Sequence, residues 1–216
     1  MSRGYFISIE GGDGSGKSTQ LQHIREYMEE RKIDALFTRE PGGTPIGEQV
    51  RRVILDPGNT GMAGMTEALL YAAARAQIVR EVIRPAIEAG RTVVCDRFVD
   101  SSLAYQGYAR GLGDAVGAIN AYAVDGLMPD MTIFLDISPV DAMRRVDNED
   151  RGERDRLELE AAAFHMDVYR GYKALIEADR ESGGHRFFTV DASLPPEEVR
   201  KRIAAGLDAL FGFTAE

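Results

Sequence analysis

The sequence is poor in the residues that build disulfide frameworks and metal clusters. It has one cysteine, Cys95, in an apolar stretch, and three scattered histidines without metal-ligand spacing. No apolar run approaches the roughly 20 residues that a membrane span requires. The N-terminus reads straight into a strand, so a signal peptide is not expected. These features predict a cytoplasmic protein without a Cys-based metal site or a membrane partner.

An excess of acidic residues restricts the classes of partner that the chain is expected to bind. The net charge is −9, from 35 acidic and 26 basic residues. This balance argues against a nucleic-acid partner, but a nucleotide needs only a local cluster of Arg and Lys. The 216 residues suffice for one domain with a full core. Because no repeat, low-complexity tract or linker interrupts the chain, residues 1–216 are predicted to form a single domain.

The most informative stretch is EGGDGSGKST at residues 10–19, which matches the phosphate-binding pattern G-x-x-x-x-G-K-[ST]. Its glycines allow successive backbone N–H groups to point at one anion. Lys17 would bring a positive charge to the β- and γ-phosphates, and the Ser18 hydroxyl suits Mg²⁺. A strand before the loop and an amphipathic helix after it disfavour a glycine turn without a ligand. The predicted ATP-binding residues are Gly11, Gly12, Asp13, Gly14, Ser15, Gly16, Lys17, Ser18 and Thr19.

Short apolar strands alternate with helical stretches along the chain. Strands that are apolar on both faces and alternate with helices form parallel sheets covered on both sides. The pattern therefore predicts an α/β fold with about five parallel strands. The predicted strands are 4–9, 35–38, 92–95, 131–136 and 186–190. The predicted helices are 19–31, 45–55, 65–89 with a break near Pro85, 114–127, 139–146, 157–181 and 196–211, and 100–113 is predicted as loop and helix start.

Polar residues follow the predicted strand ends, where ligands of open α/β sheets bind. Asp96 could hold Mg²⁺ through water, and Arg97 offers a guanidinium to a phosphate. The alternative is a pair of ordinary surface residues. Tyr71 and Arg75 are four residues apart on one helix face. They could stack on and hydrogen-bond a nucleobase, or form a core tyrosine beside a snorkelling arginine.

A run of mixed charge precedes the helix at 157–181. It contains Arg151, Arg154 and Arg156, interleaved with acidic residues. Most such runs are solvated loops. In a phosphoryl-transfer enzyme, the functional interpretation is an arginine-bearing lid that closes on the phosphates. The segment at about 147–156 is therefore the predicted lid.

Taken together, these motifs closely resemble the thymidylate kinase (dTMP kinase) family over residues 5–199. Besides the phosphate loop, the resemblance rests on REPGGT at 39–44, AAAR at 72–75, DRF at 96–98, AYQG at 104–107, PDMTIFLD at 129–136 and DRLE at 155–158. It implies a three-layer P-loop kinase fold with helices on both faces of the sheet. It further implies transfer of the γ-phosphoryl group of ATP to dTMP with Mg²⁺, and a homodimer.

Two other functions stay open at this point. One is another nucleoside or nucleoside-monophosphate kinase on the same fold. The other is a nucleotide-dependent switch protein, which would be expected to carry a guanine-reading Asn-Lys-x-Asp motif that this sequence lacks.

The resemblance also implies roles for single residues. Asp13 would lie near the deoxyribose 3′ position and the acceptor phosphate. Arg51 and Arg97 would hold the dTMP phosphate, with Arg39 nearby. The implied catalytic residues are Asp13, Lys17, Arg97, Arg151, Arg154 and Arg156, and the implied metal-binding residues are Ser18 and Asp96.

The implied base pocket departs from the family pattern at one position. Tyr71 stands where the family usually stacks a phenylalanine on thymine. Pro41 matches a proline that often follows a cis peptide bond in the dTMP pocket. The remaining base- and sugar-reading residues would be Arg75, Ser102, Tyr105 and Gln106.

Gly14 indicates which type of family member the chain resembles. Some members carry a basic residue at this position of the phosphate loop. A chain without it resembles the bacterial type, in which the lid supplies the transition-state arginine. Arg156 is the first choice for that residue because it lies in the best-matched part of the lid, and Arg151 and Arg154 stay open.

Overall fold

The computed structural model of the chain describes residues 3–147 and 155–213. At its centre is a sheet of five parallel strands in the order β2-β3-β1-β4-β5. The strands are β1 Phe6–Glu10, β2 Ala35–Arg39, β3 Thr92–Asp96, β4 Met131–Asp136 and β5 Phe187–Asp191. The prediction of a five-stranded parallel sheet is therefore confirmed.

Helices cover both faces of the sheet. They are α1 Lys17–Glu30, α2 Pro45–Leu55, α3 Gly64–Ile78, α4 Arg84–Glu88, α5 Val99–Ser102, α6 Asp114–Val124, α7 Pro139–Asp147, α8 Ala162–Glu181 and α9 Pro196–Phe211. Ile7 and Ile9 of β1 pack against α1 and α9 on one face. Phe6 and its neighbours pack against the helices around α3 and α5 on the other. The three-layer arrangement agrees with the predicted kinase fold.

The order of the strands positions the functional loops. β1 and β3 are neighbours, and Ile9 pairs with Asp96 at their carboxyl ends. β2 lies beside β3, where Arg39 pairs with Asp96. The segments that follow these three strands therefore meet at one edge of the sheet, as the predicted site requires.

Local chemistry explains why some helix boundaries were predicted well. α2 begins after Thr44, whose side chain accepts a hydrogen bond from Gly47 N, and Pro45 occupies the first turn. α9 ends at Gly212, whose φ of 72° is left-handed. α6 ends at Val124, short of the predicted residue 127, because Asp125 takes a left-handed conformation with φ 49°.

Three stretches differ from the predicted elements. The break near Pro85 is preceded by a π-helical segment, Val79–Ile83, which links α3 to α4 without interrupting the helical path. The region predicted as loop and helix start at 100–113 is mostly helical, with α5 followed by a π-helical segment, Leu103–Ala109. Residues 156–159 form a turn, and α8 begins only at Ala162. None of the helices that the structure describes combines the length and apolar character needed to cross a bilayer.

Candidate active site

A cavity of about 660 Å³ opens where the ends of β1, β2 and β3 meet. A volume of this size suits a small-molecule ligand. Its lining includes residues 13–20, 39–41, 96–97, 105–106 and 192–196, together with Arg51 and Tyr71. The predicted donor loop and most of the predicted acceptor residues therefore lie around one space.

The phosphate loop has the backbone conformation that an anion site needs. Gly14 and Gly16 have φ of 77° and 92°, values that favour glycine. Gly16 directly precedes α1, so the positive end of the helix faces the cavity. The Lys17 Nζ donates to the carbonyl oxygens of Gly11 and Gly12 at 3.0 Å each. Burial, and then repulsion from Arg97, lowers the pKa of Lys17 to about 8.

Arg97 connects the loop after β3 to the phosphate loop. Its Nη2 donates to Asp13 Oδ1 at 2.8 Å, and its guanidinium lies 5.2 Å from the centre of the Tyr105 ring. Burial raises the pKa of Asp13, but Arg97 and Lys17 outweigh it, so the pKa falls below its ordinary value. Arg97 has φ of 65°, a strained conformation for a residue other than glycine, of a kind that clusters at functional sites.

Glu10, which was not predicted as a site residue, stabilises the loop after β3 from the end of β1. It is fully buried at the end of β1 and accepts hydrogen bonds from Phe98 N at 2.7 Å, Ser101 Oγ at 2.6 Å and Tyr172 OH at 2.8 Å. Burial, and then the nearby Asp100, raises the pKa of Glu10 to about 7. The residue holds the strained turn at Arg97 next to the start of the phosphate loop.

The loop after β2 forms the opposite wall. The peptide bond between Glu40 and Pro41 is cis, as the resemblance implied. Arg51 reaches across from α2 and donates from Nη1 to the Pro41 carbonyl at 2.9 Å. Arg39 also lines the cavity and pairs with Glu48 at 2.9 Å. Arg39, Pro41 and Arg51 therefore line the same cavity as the phosphate loop.

Unpaired polar atoms mark the cavity as a ligand site. Across the part of the chain that the structure describes, five buried side-chain atoms lack a hydrogen-bond partner. All five residues line this cavity. A buried polar group left unpaired costs about 1–3 kcal/mol, so a ligand that supplies partners would recover that cost. The atoms are Ser15 Oγ, Glu40 Oε1, Asp96 Oδ1, Tyr105 OH and Gln106 Oε1.

Asp96 and Ser18 provide the chemistry that Mg²⁺ prefers. Both line the cavity, and both offer oxygen atoms, the ligand type of this hard cation. Asp96 Oδ1 is one of the unpaired buried atoms. The residues present therefore fit the metal that the kinase chemistry implies.

Arg75 is buried behind the cavity wall and paired with Glu40. Its side chain is 1% exposed and contacts Glu40 Oε2 through Nε at 2.8 Å and Nη2 at 2.6 Å. It also donates to Ser102 Oγ at 2.9 Å, to Asn120 Oδ1 at 2.5 Å and to the Phe98 carbonyl at 3.1 Å.

Arg75 thus makes four hydrogen bonds and one further ion-pair contact to protein acceptors. Arg75 and Ser102 are absent from the described residues that line the cavity. In this structure the two residues form the layer behind the pocket wall, and direct contact of either one with the base stays a prediction.

Arg156 is likewise engaged elsewhere. Its Nε donates to the Ile54 carbonyl at 2.8 Å and its Nη2 to Glu67 Oε2 at 2.6 Å, and the side chain is 8% exposed. The cavity lining among the described residues does not include it. This placement does not support Arg156 as the arginine that faces the phosphates. Arg151 and Arg154 lie outside the described residues.

Several lining residues were missed by the sequence analysis. The segment after β5, residues 192–196, lies on the phosphate-loop side of the cavity. Arg145 of α7 contacts this segment, because its Nη2 donates to the Ser193 carbonyl oxygen at 3.4 Å. Two adjacent prolines, Pro195 and Pro196, were the available signal that this loop is rigid. Glu40 was also missed as a cavity residue, although it lies in the REPGGT motif.

Comparison with known proteins gives a consistent assignment. The family profile for thymidylate kinase matches residues 9–203. A thymidylate kinase of Bacillus pumilus is 49% identical over 201 residues, covering 93% of each chain. One of Symbiobacterium thermophilum is 51% identical over 199 residues, covering 92% of this chain and 90% of its own. One of a Geobacillus species is 47% identical over 212 residues, covering 97% and 99% respectively.

The matched region includes the phosphate loop, the Arg97 turn and the other described residues that line the cavity. With identities near one half over almost the whole length, the chain belongs to the thymidylate kinase family.

Proposed function

We propose that this enzyme transfers the γ-phosphoryl group of ATP to dTMP, forming ADP and dTDP. The observation that carries the proposal is the convergence of two phosphate-binding cations on one cavity. Lys17 extends from the donor loop, Arg97 from the strand beside it, and Asp13 contacts Arg97 between them. Family membership supplies the identities of donor and acceptor.

The residues act mainly by positioning two anionic substrates. The phosphate loop and Lys17 bind the donor triphosphate, while Arg97 and Arg51 bind the dTMP phosphate, with Arg39 at the edge. In-line phosphoryl transfer leaves little covalent work for the protein, so orientation and charge stabilisation supply the catalysis. A nucleotide phosphate is already a nucleophile at neutral pH, and no general base is required. Ser18 and Asp96 would hold Mg²⁺, which neutralises charge on the phosphates.

The base of dTMP is assigned to the wall formed by α3 and the segment after α5. Tyr71 offers a ring for stacking, and Tyr105 and Gln106 bring unpaired polar atoms to the same space. Arg75 and Ser102 act from behind this wall through their hydrogen bonds. The loop at 192–196 would receive the adenine of ATP, because it borders the phosphate loop away from Tyr71.

A lid arginine is expected to meet the charge that develops during transfer, since Gly14 leaves the phosphate loop without a second cation. Because Arg156 is paired with Glu67, we assign this role to Arg151 or Arg154. One of the variants Arg151→Ala and Arg154→Ala should lower kcat about 10²-fold with little change in KM for dTMP.

Arg156→Ala, by contrast, should lower the melting temperature and keep kcat within a few-fold. Steady-state kinetics and thermal unfolding of the three variants separate these roles. If Arg156→Ala alone shows the large loss of kcat at unchanged stability, the lid closes in a different register and the earlier choice of Arg156 is right.

A panel of acceptors tests the proposed substrate. ADP formation from ATP is measured with dTMP, dUMP, dCMP, dGMP and AMP, and without an acceptor. We expect dTMP to give the highest kcat/KM and the purine nucleotides to give little turnover. Preference for another nucleotide would favour the alternative kinase. A rate of ADP formation that does not depend on the acceptor would favour a nucleotide switch.

We also propose a cytoplasmic homodimer. The assembly is carried over from the family resemblance. Exposed apolar side chains on α2 and α3, among them Ile46, Val53 and Leu69, are a surface that a second copy could cover. The acidic, cysteine-poor composition is compatible with the cytoplasm.

A further inference from the structure

Glu67 is a buried carboxylate beside the base side of the cavity, and the proposed mechanism gives it no role. It lies on α3, one helical turn before Tyr71, and is 1% exposed. Its Oε1 accepts from Gln106 Nε2 at 2.9 Å and from Arg110 Nε at 3.3 Å. Its Oε2 accepts from Arg110 Nη2 at 3.1 Å and from Arg156 Nη2 at 2.6 Å.

These partners keep Glu67 ionised. Burial raises the pKa of its carboxyl group, but the hydrogen bonds from Arg110, Gln106 and Arg156 outweigh burial and bring the pKa below its ordinary value. An ionised carboxylate accepts hydrogen bonds and donates none. The group that faces Glu67 must therefore be a donor.

That requirement determines which way the Gln106 amide points. Gln106 is 1% exposed, and its Nε2 is the end that can donate to Glu67. Its Oε1 has no protein partner, although it is buried, and the residue lines the cavity. Turning the amide over would set two oxygen atoms against each other at Glu67, so the carbonyl end is left for the ligand.

We infer that Glu67 is a positioning residue: it fixes the Gln106 amide so that the Gln106 carbonyl oxygen faces the base and accepts a hydrogen bond from it, which makes Glu67 a determinant of base specificity. The inference rests on the proposed function. Thymine and uracil carry an N–H at ring position 3 and satisfy the Gln106 carbonyl. Cytosine carries a lone pair there, so the two acceptors repel each other and the carbonyl stays unpaired. Glu67 itself contacts no substrate and acts through Gln106.

The expected selectivity is large because the mismatch is buried. Sites built to hydrogen-bond one group reject analogues without it by about 10⁴-fold or more. The contact does not separate thymine from uracil, since both have the same N–H. Discrimination through Glu67 therefore concerns dTMP and dUMP against dCMP.

The test is the ratio of kcat/KM for dTMP to kcat/KM for dCMP in wild type and two variants. Glu67→Gln has the same shape but can face Gln106 with either end of its own amide, so the Gln106 amide is free to turn over. Glu67→Asp keeps the charge between Arg110 and Arg156 and withdraws the carboxylate from Gln106 by one methylene group. We expect the ratio to fall at least 10-fold in both variants. If Glu67→Gln does not fold, the ratio measured for Glu67→Asp is the test.

Arg110→Gln is the matched control, because it disturbs the same cluster and leaves the contact between Glu67 and Gln106 in place. Its ratio should stay within about threefold of wild type even if its stability falls. A folded Glu67 variant that loses activity equally with both nucleotides would show a structural role and overturn the inference. Wild-type enzyme without activity on dTMP would instead overturn the proposed function.

Discussion

Lys17→Ala is expected to lower kcat about 10²- to 10³-fold, the loss found when one charge-stabilising donor is removed from a transfer site. Lys17 projects from the first turn of α1 into the cavity, where its Nζ lies among the loop carbonyls of Gly11 and Gly12. Although burial lowers its pKa to about 8, the amine is mostly protonated at neutral pH. The charge is therefore available to the β- and γ-phosphates during transfer.

The fold should tolerate this change. The two carbonyl oxygens that Lys17 contacts lie in a loop bordering the cavity, where water can take the place of the amine. Lys201→Ala is a matched control, because it removes an equal charge from an exposed position of α9, 70% accessible and paired with Glu198. Kinetics should separate the two variants while circular dichroism does not. Near-native turnover of Lys17→Ala would contradict the assignment of Lys17 to the donor site.

Arg75→Ala is expected to lower the free energy of unfolding by about 3–5 kcal/mol, the usual result of removing one partner of a buried ion pair. The pair with Glu40 is almost fully enclosed, with side-chain exposures of 1% and 3%. Ser102, Asn120 and the Phe98 carbonyl would lose a donor in the same step. The wall behind Tyr71 would lose its support, so dTMP affinity should fall as well.

Chemical denaturation measures this effect, and Arg80→Ala supplies the comparison. Arg80 is exposed in the π-helical segment that continues α3, so its removal should change the free energy of unfolding by less than about 0.5 kcal/mol. If Arg75→Ala keeps wild-type stability and weakens only dTMP binding, the side chain leaves Glu40 to read the base directly. That outcome would restore the interpretation made from the sequence.

The parts of the fold that were predicted depend on local signals. Apolar strands between helices predicted the five-stranded sheet, and the helical pattern of residues 45–55 predicted α2, which begins after the Thr44 cap and at Pro45. The phosphate loop was evident because its function demands particular residue types at fixed spacing. The π-helical segments at 79–83 and 103–109 were not evident, since segments of one to two turns are too short for their apolar spacing to be distinguished from that of an α-helix.

The side-chain placements at the site that the sequence did not predict come from contacts between residues far apart in sequence. Arg75 and Tyr71 share a helix face, and Tyr71 lines the cavity while Arg75 does not. The pattern does not indicate that Glu40, 35 positions earlier, pairs with the Arg75 guanidinium. Arg156 was assigned to the lid because arginines are dense there, but Glu67, 89 positions earlier, holds it. Glu67 itself looks like any acidic residue in the first turn of a helix.

The most direct measurement of the central claim follows the phosphoryl group itself. ATP with a radioactive γ-phosphoryl group is incubated with the enzyme and dTMP, and the products are separated. The label should appear in the terminal phosphate of dTDP in amounts equal to the ADP formed, and Lys17→Ala should suppress both products together. Label released as inorganic phosphate, at a rate that does not depend on dTMP, would contradict transfer between two nucleotides in one cavity.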